Sequence, residues 1–270
     1  MTNLIQYIKS HPTIATYSAE YSSSWPDDIL LNNIITLDCS NIGLNTIADM
    51  PNIVQLDCSK NNLTSLGTMP NLEILNCASN SLVNIPLYTK ITWLDCSMNQ
   101  LTSLPNFTTL VSLYCYDNQL TSIPQIATLL HLYCYNNRLT NINNPSLTIL
   151  YCQNNLITTI NSVSNMSLLN CSNNQLIALP TPCPTYYLDC SNNFLASLPS
   201  LANANKLFCE YNQITTIPSA LNLVRLNCSN NKLRSLPSLP IIEWLDCSNN
   251  HIHTLPPMPR IKQLNCRNNG

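Results

Sequence analysis

The sequence predicts a solenoid, a fold in which short coils of similar sequence stack and each coil packs on its neighbours. Three observations predict it. A cysteine recurs every 19 residues with one step of 18, a leucine stands two residues before each of these cysteines, and an asparagine stands three residues after twelve of them. Self-similarity at a fixed period of this size is typical of stacked repeats. The ladder consists of Cys39, Cys58, Cys77, Cys96, Cys115, Cys134, Cys152, Cys171, Cys190, Cys209, Cys228, Cys247 and Cys266.

Each coil is predicted to contain one short strand that ends near its cysteine, and positions are counted here from that cysteine. The leucine at minus two and the cysteine share one face of a strand, and positions minus three, minus one and plus one share the other. Strands of successive coils are expected to pair in parallel about 4.8 Å apart. The asparagine at plus three ends the strand, and its amide is expected to satisfy backbone groups of the turn and of the next coil.

The second half of each coil is predicted to be an extended return. Leucine or isoleucine stands at plus five and plus eight, and many coils continue with proline at plus nine, as in Pro86 and Pro105. Proline fixes an extended backbone, and a coil of 19 residues has no room for a long helix, so we expect polyproline or 3₁₀ segments. The one shorter step is expected between Ile142 and Pro145, in such a return.

The repeat unit therefore has the pattern L-x-x-L-x-C-x-x-N-x-[LI]-x-x-[LI]-P, as in residues 91–105. This pattern resembles the leucine-rich repeat, with cysteine in place of the third leucine, over roughly residues 34–270. The cysteine position resembles the cysteine ladder of internalin-type repeats. The short coil with its Leu-Pro return resembles the repeats of secreted bacterial effectors. The resemblance implies a leucine-rich repeat solenoid of about thirteen repeats, with a parallel β-sheet on the concave face and short 3₁₀ or polyproline returns on the convex face. It also implies a recognition module.

Two domains are predicted, an N-terminal cap over residues 1–33 and a leucine-rich repeat domain over residues 34–270. The first 33 residues lack the ladder. Apolar residues between 4 and 8 predict a short helix with an apolar stripe, and residues 24–28 predict a turn or a second helix start. A solenoid needs its first coil covered, which favours a cap.

The composition bears on the class of partner. Charged residues make up 9% of the chain and the formal net charge is −2, which gives no electrostatic reason to expect a nucleic acid. No apolar run is long enough for a membrane span. The first residues lack the basic start and apolar stretch of a secretory signal. We therefore expect a cytoplasmic protein, located in the host cytosol if it is an effector.

Of the fourteen cysteines, the thirteen of the ladder are predicted to be reduced and buried. Each ladder cysteine occupies a position where leucine would serve, and free cysteine is among the most buried residue types. Side chains on adjacent parallel strands approach poorly for a disulfide, and the absence of any C-x-x-C pair argues against zinc. Cys183, outside the ladder, is interpreted as a small filler of the outer wall. Reduced thiols favour a reducing compartment.

Catalysis finds little support in the sequence. No histidine adjoins a cysteine or serine in a nucleophile motif. Asp38 and Asp57 both occupy position minus one and should be neighbours, so the pair could do acid–base work or bind a cation. The favoured interpretation is a row of solvated acids on the sheet. We predict a protein that is not an enzyme and that has neither a cofactor nor a metal.

Aromatic residues replace small or acidic ones on one face of the predicted sheet, mostly in three or four adjacent coils. Exposed clustered tyrosines are typical of partner-binding surfaces. The alternative is aromatic stacking that only stiffens the sheet. The candidate partner-binding residues are Trp93, Tyr114, Tyr116, His131, Tyr133, Tyr135 and Tyr151, with a smaller group at Tyr187, Phe208 and Tyr211.

The function predicted from these patterns is a scaffold that recognises a protein partner through the concave face and its central aromatic patch. The alternative is the substrate-receptor or adhesin portion of a larger effector, ligase or surface protein.

Overall fold

The computed structural model describes residues 4–161 and 165–269, and it divides into two compact units, Met1–Leu129 and Leu130–Gly270. In each unit, successive coils contribute short strands that pair in parallel with their leucines in register, as in Leu56 with Leu75 and Leu207 with Leu226. The predicted solenoid is therefore confirmed. No helix of the described residues is long and apolar enough to cross a membrane.

The first unit begins with helical segments and continues into a parallel sheet. The helical segments are α1 (Leu4–Ser10), a 3₁₀ turn (Pro12–Ile14) and α2 (Asp27–Asn33). The strands are β1 (Ala15–Tyr17), β2 (Ile34–Asp38), β3 (Gln55–Asp57), β4 (Ile74–Asn76), β5 (Trp93–Asp95) and β6 (Ser112–Tyr114). Strands β2 to β6 are parallel in chain order, and β1 lies antiparallel to β2.

The second unit repeats this plan. Its strands are β7 (His131–Tyr133), β8 (Asn141–Ile142), β9 (Ile149–Tyr151), β10 (Thr159–Ile160), β11 (Leu168–Asn170), β12 (Tyr187–Asp189), β13 (Lys206–Phe208), β14 (Arg225–Asn227), β15 (Trp244–Asp246) and β16 (Gln263–Asn265). The short strands β8 and β10 pair with each other in the returns of two neighbouring coils. The 18-residue step follows β8, in the return where it was expected, and there Ile142 is buried.

The core of each unit is built from the face that carries the leucines and cysteines. Leu75, Cys77, Leu169 and Cys171 are all fully buried. A coil buries few apolar side chains of its own, too few to offset the entropy of ordering its backbone. Stacking on the neighbouring coils must supply the rest of the stabilisation.

The asparagine at plus three binds the coil before its own. Asn61 Nδ2 donates to the carbonyl of Cys39 at 2.9 Å and to that of Cys58 in its own coil at 2.9 Å. Asn61 Oδ1 accepts the backbone N–H of Leu44 at 2.9 Å. The prediction that this amide contacts the next coil was wrong. The side chain hydrogen-bonds to the preceding coil instead.

The returns are single turns rather than helices. The N–H of Leu72 donates to the carbonyl of Met69 at 3.2 Å, an i to i+3 bond of the 3₁₀ type. The same bond recurs between Leu223 and Ala220. These isolated bonds agree with the expectation of short 3₁₀ or extended segments, and a coil this short has no room for a longer helix.

Position plus two has a left-handed backbone in every coil, which the sequence reasoning missed. The φ angle at this position lies between 52° and 57° throughout. Asparagine tolerates this region and occupies it in eight coils, whereas the lysine, serine, methionine and tyrosine found there in four other coils are strained. The residues are Asn41, Lys60, Ser79, Met98, Asp117, Asn136, Asn154, Asn173, Asn192, Tyr211, Asn230, Asn249 and Asn268.

The N-terminal residues pack beside the first coil. Helix α1 buries Leu4 and Ile8, as its apolar stripe predicts, and α2 begins after Pro26, where a helix start was one expectation. Strand β1, which the sequence did not indicate, pairs with the edge of β2 and so shields its free backbone groups. The division into a cap and a repeat domain at residue 33 stays a prediction.

Candidate functional site

The candidate residues lie on what we call the front face, the side of each sheet on which positions minus three, minus one and plus one fall. Asp38 and Asp57 are neighbours in the β2–β3 register, as expected. Several acids in this row are half-buried rather than fully solvated. Asp95 Oδ1 accepts the backbone N–H of Ser97 at 3.0 Å and its hydroxyl at 2.6 Å. Burial raises the pKa of Asp95 despite these bonds. Such an acid therefore helps to hold the turn that follows its strand, through hydrogen bonds to the residue at plus one.

In the first unit, the front face carries an aromatic pair at its last two strands. The rings of Trp93 on β5 and Tyr114 on β6 lie 5.5 Å apart with an interplanar angle of 47°. Both side chains are half-buried, as is Tyr116 two residues after Tyr114. The expectation of exposed aromatic side chains is met only in part here, since each ring covers part of its neighbour.

In the second unit, a stacked tyrosine pair occupies the first strands. The rings of Tyr133 on β7 and Tyr151 on β9 lie 5.0 Å apart and within 12° of parallel. His131, in register with Ile149, and Tyr135, just after β7, lie at the front-face positions minus three and plus one. All four candidate side chains are half-buried. The pair is a flat apolar surface with polar edges, a suitable contact for a protein side chain.

A second aromatic pair lies further along the same unit. The rings of Tyr187 on β12 and Phe208 on β13 are 5.7 Å apart. Burial, followed by the charges of nearby groups including Asp189 and Glu210, raises the pKa of Tyr187. Tyr211 does not share this arrangement. It occupies the left-handed position plus two, and its side chain is 57% exposed.

Two features of the front face escaped the sequence reasoning. Glu210 Oε2 and Gln153 Oε1 are buried without a hydrogen-bond partner among the described residues. Burial raises the pKa of Glu210. The guanidinium of Arg225 lies 5.4 Å from the ring centre of Trp244, a cation–π contact. The sequence did contain a signal for the two buried polar side chains, because Gln153 and Glu210 replace the serine that most coils have at position plus one.

The described cysteines are free, and all but one are buried. Cys183, interpreted from the sequence as a small filler of the outer wall, is 4% exposed and packs near Thr185. The exposed thiol is Cys266. Burial raises the pKa of Cys39 to about 12 and that of Cys247 to about 11, so both thiols are neutral and unreactive at neutral pH.

Comparisons with known proteins agree with this geometry. No protein-family model and no curated protein matches the sequence. Among solved structures, the chain is similar to YopM from Yersinia enterocolitica, with 27% identity, a TM-score of 0.58, and coverage of 87% of this chain and 65% of that one. A leucine-rich effector protein, YopM from Yersinia pestis, gives 26% identity, a TM-score of 0.63, and coverage of 87% and 83%.

The functional domain of InlJ from Listeria monocytogenes, which includes a cysteine ladder, is similar at 23% identity with a TM-score of 0.63. That match covers 83% of this chain and 65% of the solved InlJ domain. The chain thus spans about two thirds of the length of the first YopM structure and of the InlJ domain. At this identity the InlJ match speaks for the fold alone.

Proposed function

We propose that this protein, a leucine-rich repeat solenoid with a cysteine ladder, is a scaffold that binds a protein partner through the concave face, with the aromatic side chains as its main contacts. The observation that carries the proposal is the stacked pair of Tyr133 and Tyr151. These rings stand at position minus one, where nine of the other eleven coils have aspartate or asparagine. Tyrosine is enriched among the residues that dominate binding energy.

The Trp93–Tyr114 pair of the first unit supports the same proposal, because tryptophan and tyrosine again replace small or polar residues on the front face. Half-burial favours binding, since a ring already held by its neighbour loses little entropy on contact with a partner. Similarity to a leucine-rich effector protein favours an effector-type module that acts in the host cytosol. Free, buried thiols fit such a reducing compartment. The proposal assigns no catalytic role.

The test is affinity capture from a host-cell lysate, with the wild-type chain compared with a Tyr114→Ala, Tyr133→Ala double variant. Truncation of an important contact costs 2 kcal/mol or more, roughly thirtyfold in affinity, so the double variant should lose the partner. Its thermal midpoint should fall by a few degrees, because each lost ring contact is worth about 1 kcal/mol.

Phe194→Ala is the matched control. Phe194 is an exposed aromatic residue, 55% accessible, at plus four and therefore away from the front face. This variant should capture the partner as the wild type does. If the double tyrosine variant binds normally but melts early, the tyrosines only stiffen the sheet and the proposal is wrong.

The alternative is the recognition portion of a larger effector, ligase or surface protein. The partial coverage of the YopM and InlJ structures favours it. Sequencing the encoding gene beyond codon 270 decides it. An in-frame domain there supports the alternative, and a stop codon contradicts it.

A further inference from the structure

A groove whose lining side chains all carry hydrogen-bond donors lies in the second unit, on the turn segments that follow β13, β14 and β15, away from the front face. Its volume is about 550 Å³. It is lined by three hydroxyl-bearing side chains, a lysine, an arginine and a histidine. These residues are Thr215, Thr216, Ser235, Lys232, Arg234 and His251. Each of the six can donate at least one hydrogen bond, and none is an acid.

The coil geometry brings these side chains together. Ile214, Leu233 and Ile252, at position plus five of three successive coils, are buried in the core. Positions plus four and plus six on either side must therefore point outward. The N–H of Lys232 donates to the carbonyl of Ile214 at 2.9 Å, and the N–H of His251 to that of Leu233 at 2.8 Å. The three turns thus lie side by side, one strand spacing apart.

The cations in this groove depart from the repeat pattern. Neighbouring coils of the same unit place neutral side chains at these positions, such as Gln175 and Gln213 at plus four and Thr158 and Thr215 at plus six. Residues 206–270 contain seven of the eleven lysines and arginines of the chain but three of its thirteen acids. That segment has a formal net charge of +4, whereas the residues before it carry −6.

Among the described residues, the groove cations form no ion pair, whereas two other lysines do. Lys9 pairs with Asp27 and Lys262 with Glu243, each at 2.8 Å. Within the described part of the chain, neither Lys232 nor Arg234 forms such a pair. Lys232 Nζ instead donates to the neutral Gln213 Oε1 at 3.3 Å. Adjacent like charges without a counter-charge destabilise the folded chain, and a bound anion relieves this repulsion.

We propose that this groove is a binding site for a phosphate group, either free or as a monoester. The Arg234 guanidinium presents paired N–H donors that match two phosphate oxygens, and Lys232 supplies a compact positive charge. The hydroxyls of Thr216 and Ser235 complete the set of donors. The site is separate from the aromatic surface and does not depend on the function proposed for it.

The test is calorimetric titration of the full chain with inorganic phosphate in a phosphate-free buffer, with sodium chloride at equal ionic strength as the reference. A saturable site with millimolar or tighter affinity is expected, while chloride should give no saturable heat. O-phosphoserine is titrated in the same way. Tighter binding of O-phosphoserine than of phosphate assigns the site to a phosphate monoester, and the reverse order assigns it to the free anion.

The key variant is Lys232→Gln with Arg234→Thr, which gives this coil the residues that its neighbour has at Gln213 and Thr215. Because both positions are outward-facing, the variant should fold normally and bind phosphate at least tenfold more weakly. The matched control is Arg138→Gln, which removes a cation at plus four of a coil far from the groove and should leave affinity unchanged. Absence of saturable binding by the wild type, or an equal loss in the Arg138 variant, overturns the proposal.

Discussion

Asn61 Oδ1 accepts a hydrogen bond from the backbone N–H of Leu44 at 2.9 Å, although the two residues belong to neighbouring coils. The same amide donates from Nδ2 to the carbonyls of Cys39 and Cys58. One buried side chain therefore satisfies backbone groups on both sides of a coil junction. Equivalent bonds join Asn193 with Leu176 and other pairs along both units. These buried amides close the turns that follow the strands.

The first prediction concerns this amide. Asn61→Ala should lower the free energy of unfolding by about 3 kcal/mol or more, because it leaves several buried backbone donors and acceptors unsatisfied. Chemical denaturation of the two proteins measures the difference. Asn62→Ala is the matched control, since Asn62 is exposed, and it should change stability by less than about 0.5 kcal/mol. Equal effects of the two substitutions would contradict the role assigned to Asn61.

Much of this fold was predictable, because period and polarity fix which face each residue occupies. The ladder register alone placed Leu75 and Cys77 inside, and it placed Trp93 and Tyr114 together on the front face. A chain pattern cannot show how far a side chain is covered by its neighbours. For that reason the half-burial of the aromatic rings and the burial of Cys183 emerged only from the structure.

Backbone conformation was the other property that the pattern concealed. Asparagine recurs at plus two as well as at plus three, but the sequence reasoning followed only plus three. Five coils place residues other than asparagine at plus two, which masked the left-handed requirement. Strand β1 was missed because three residues are too few for an alternation to be recognised.

The second prediction uses this left-handed position. Met98 has a φ of 53° and a side chain that is 51% exposed, so it adopts a strained backbone with little packing in return. Met98→Asn should raise the free energy of unfolding by about 1 kcal/mol, since asparagine adopts this conformation more readily. Thermal denaturation should show a higher midpoint. Gln100→Asn, at an exposed position outside the left-handed set, should have no such effect, and a destabilised Met98 variant would contradict the explanation.

The third prediction concerns alkaline pH. Burial raises the pKa of the ladder thiols, to about 12 for Cys39, whereas an unfolded thiol titrates near pH 8.5. Above about pH 8.5 the unfolded chain releases protons that the folded chain keeps, so folding stability must fall as the pH rises. The stabilisation is complete below that pH and is lost progressively toward the folded-state values. Each buried thiol contributes a slope of up to about 1.4 kcal/mol per pH unit.

Unfolding free energies measured by chemical denaturation between pH 7 and pH 10 test this prediction, in a reducing buffer. The unfolding free energy should be constant at first and then fall steeply with pH, because many thiols with a raised pKa contribute together. Cys96→Ala removes one buried thiol and should make the slope shallower by the contribution of one group, whatever its effect on stability at pH 7. Asn62→Ala, which removes an exposed side chain and no thiol, should leave the slope unchanged. A stability that stays constant to pH 10 would mean that water reaches the ladder and that the thiols are not part of a dry core.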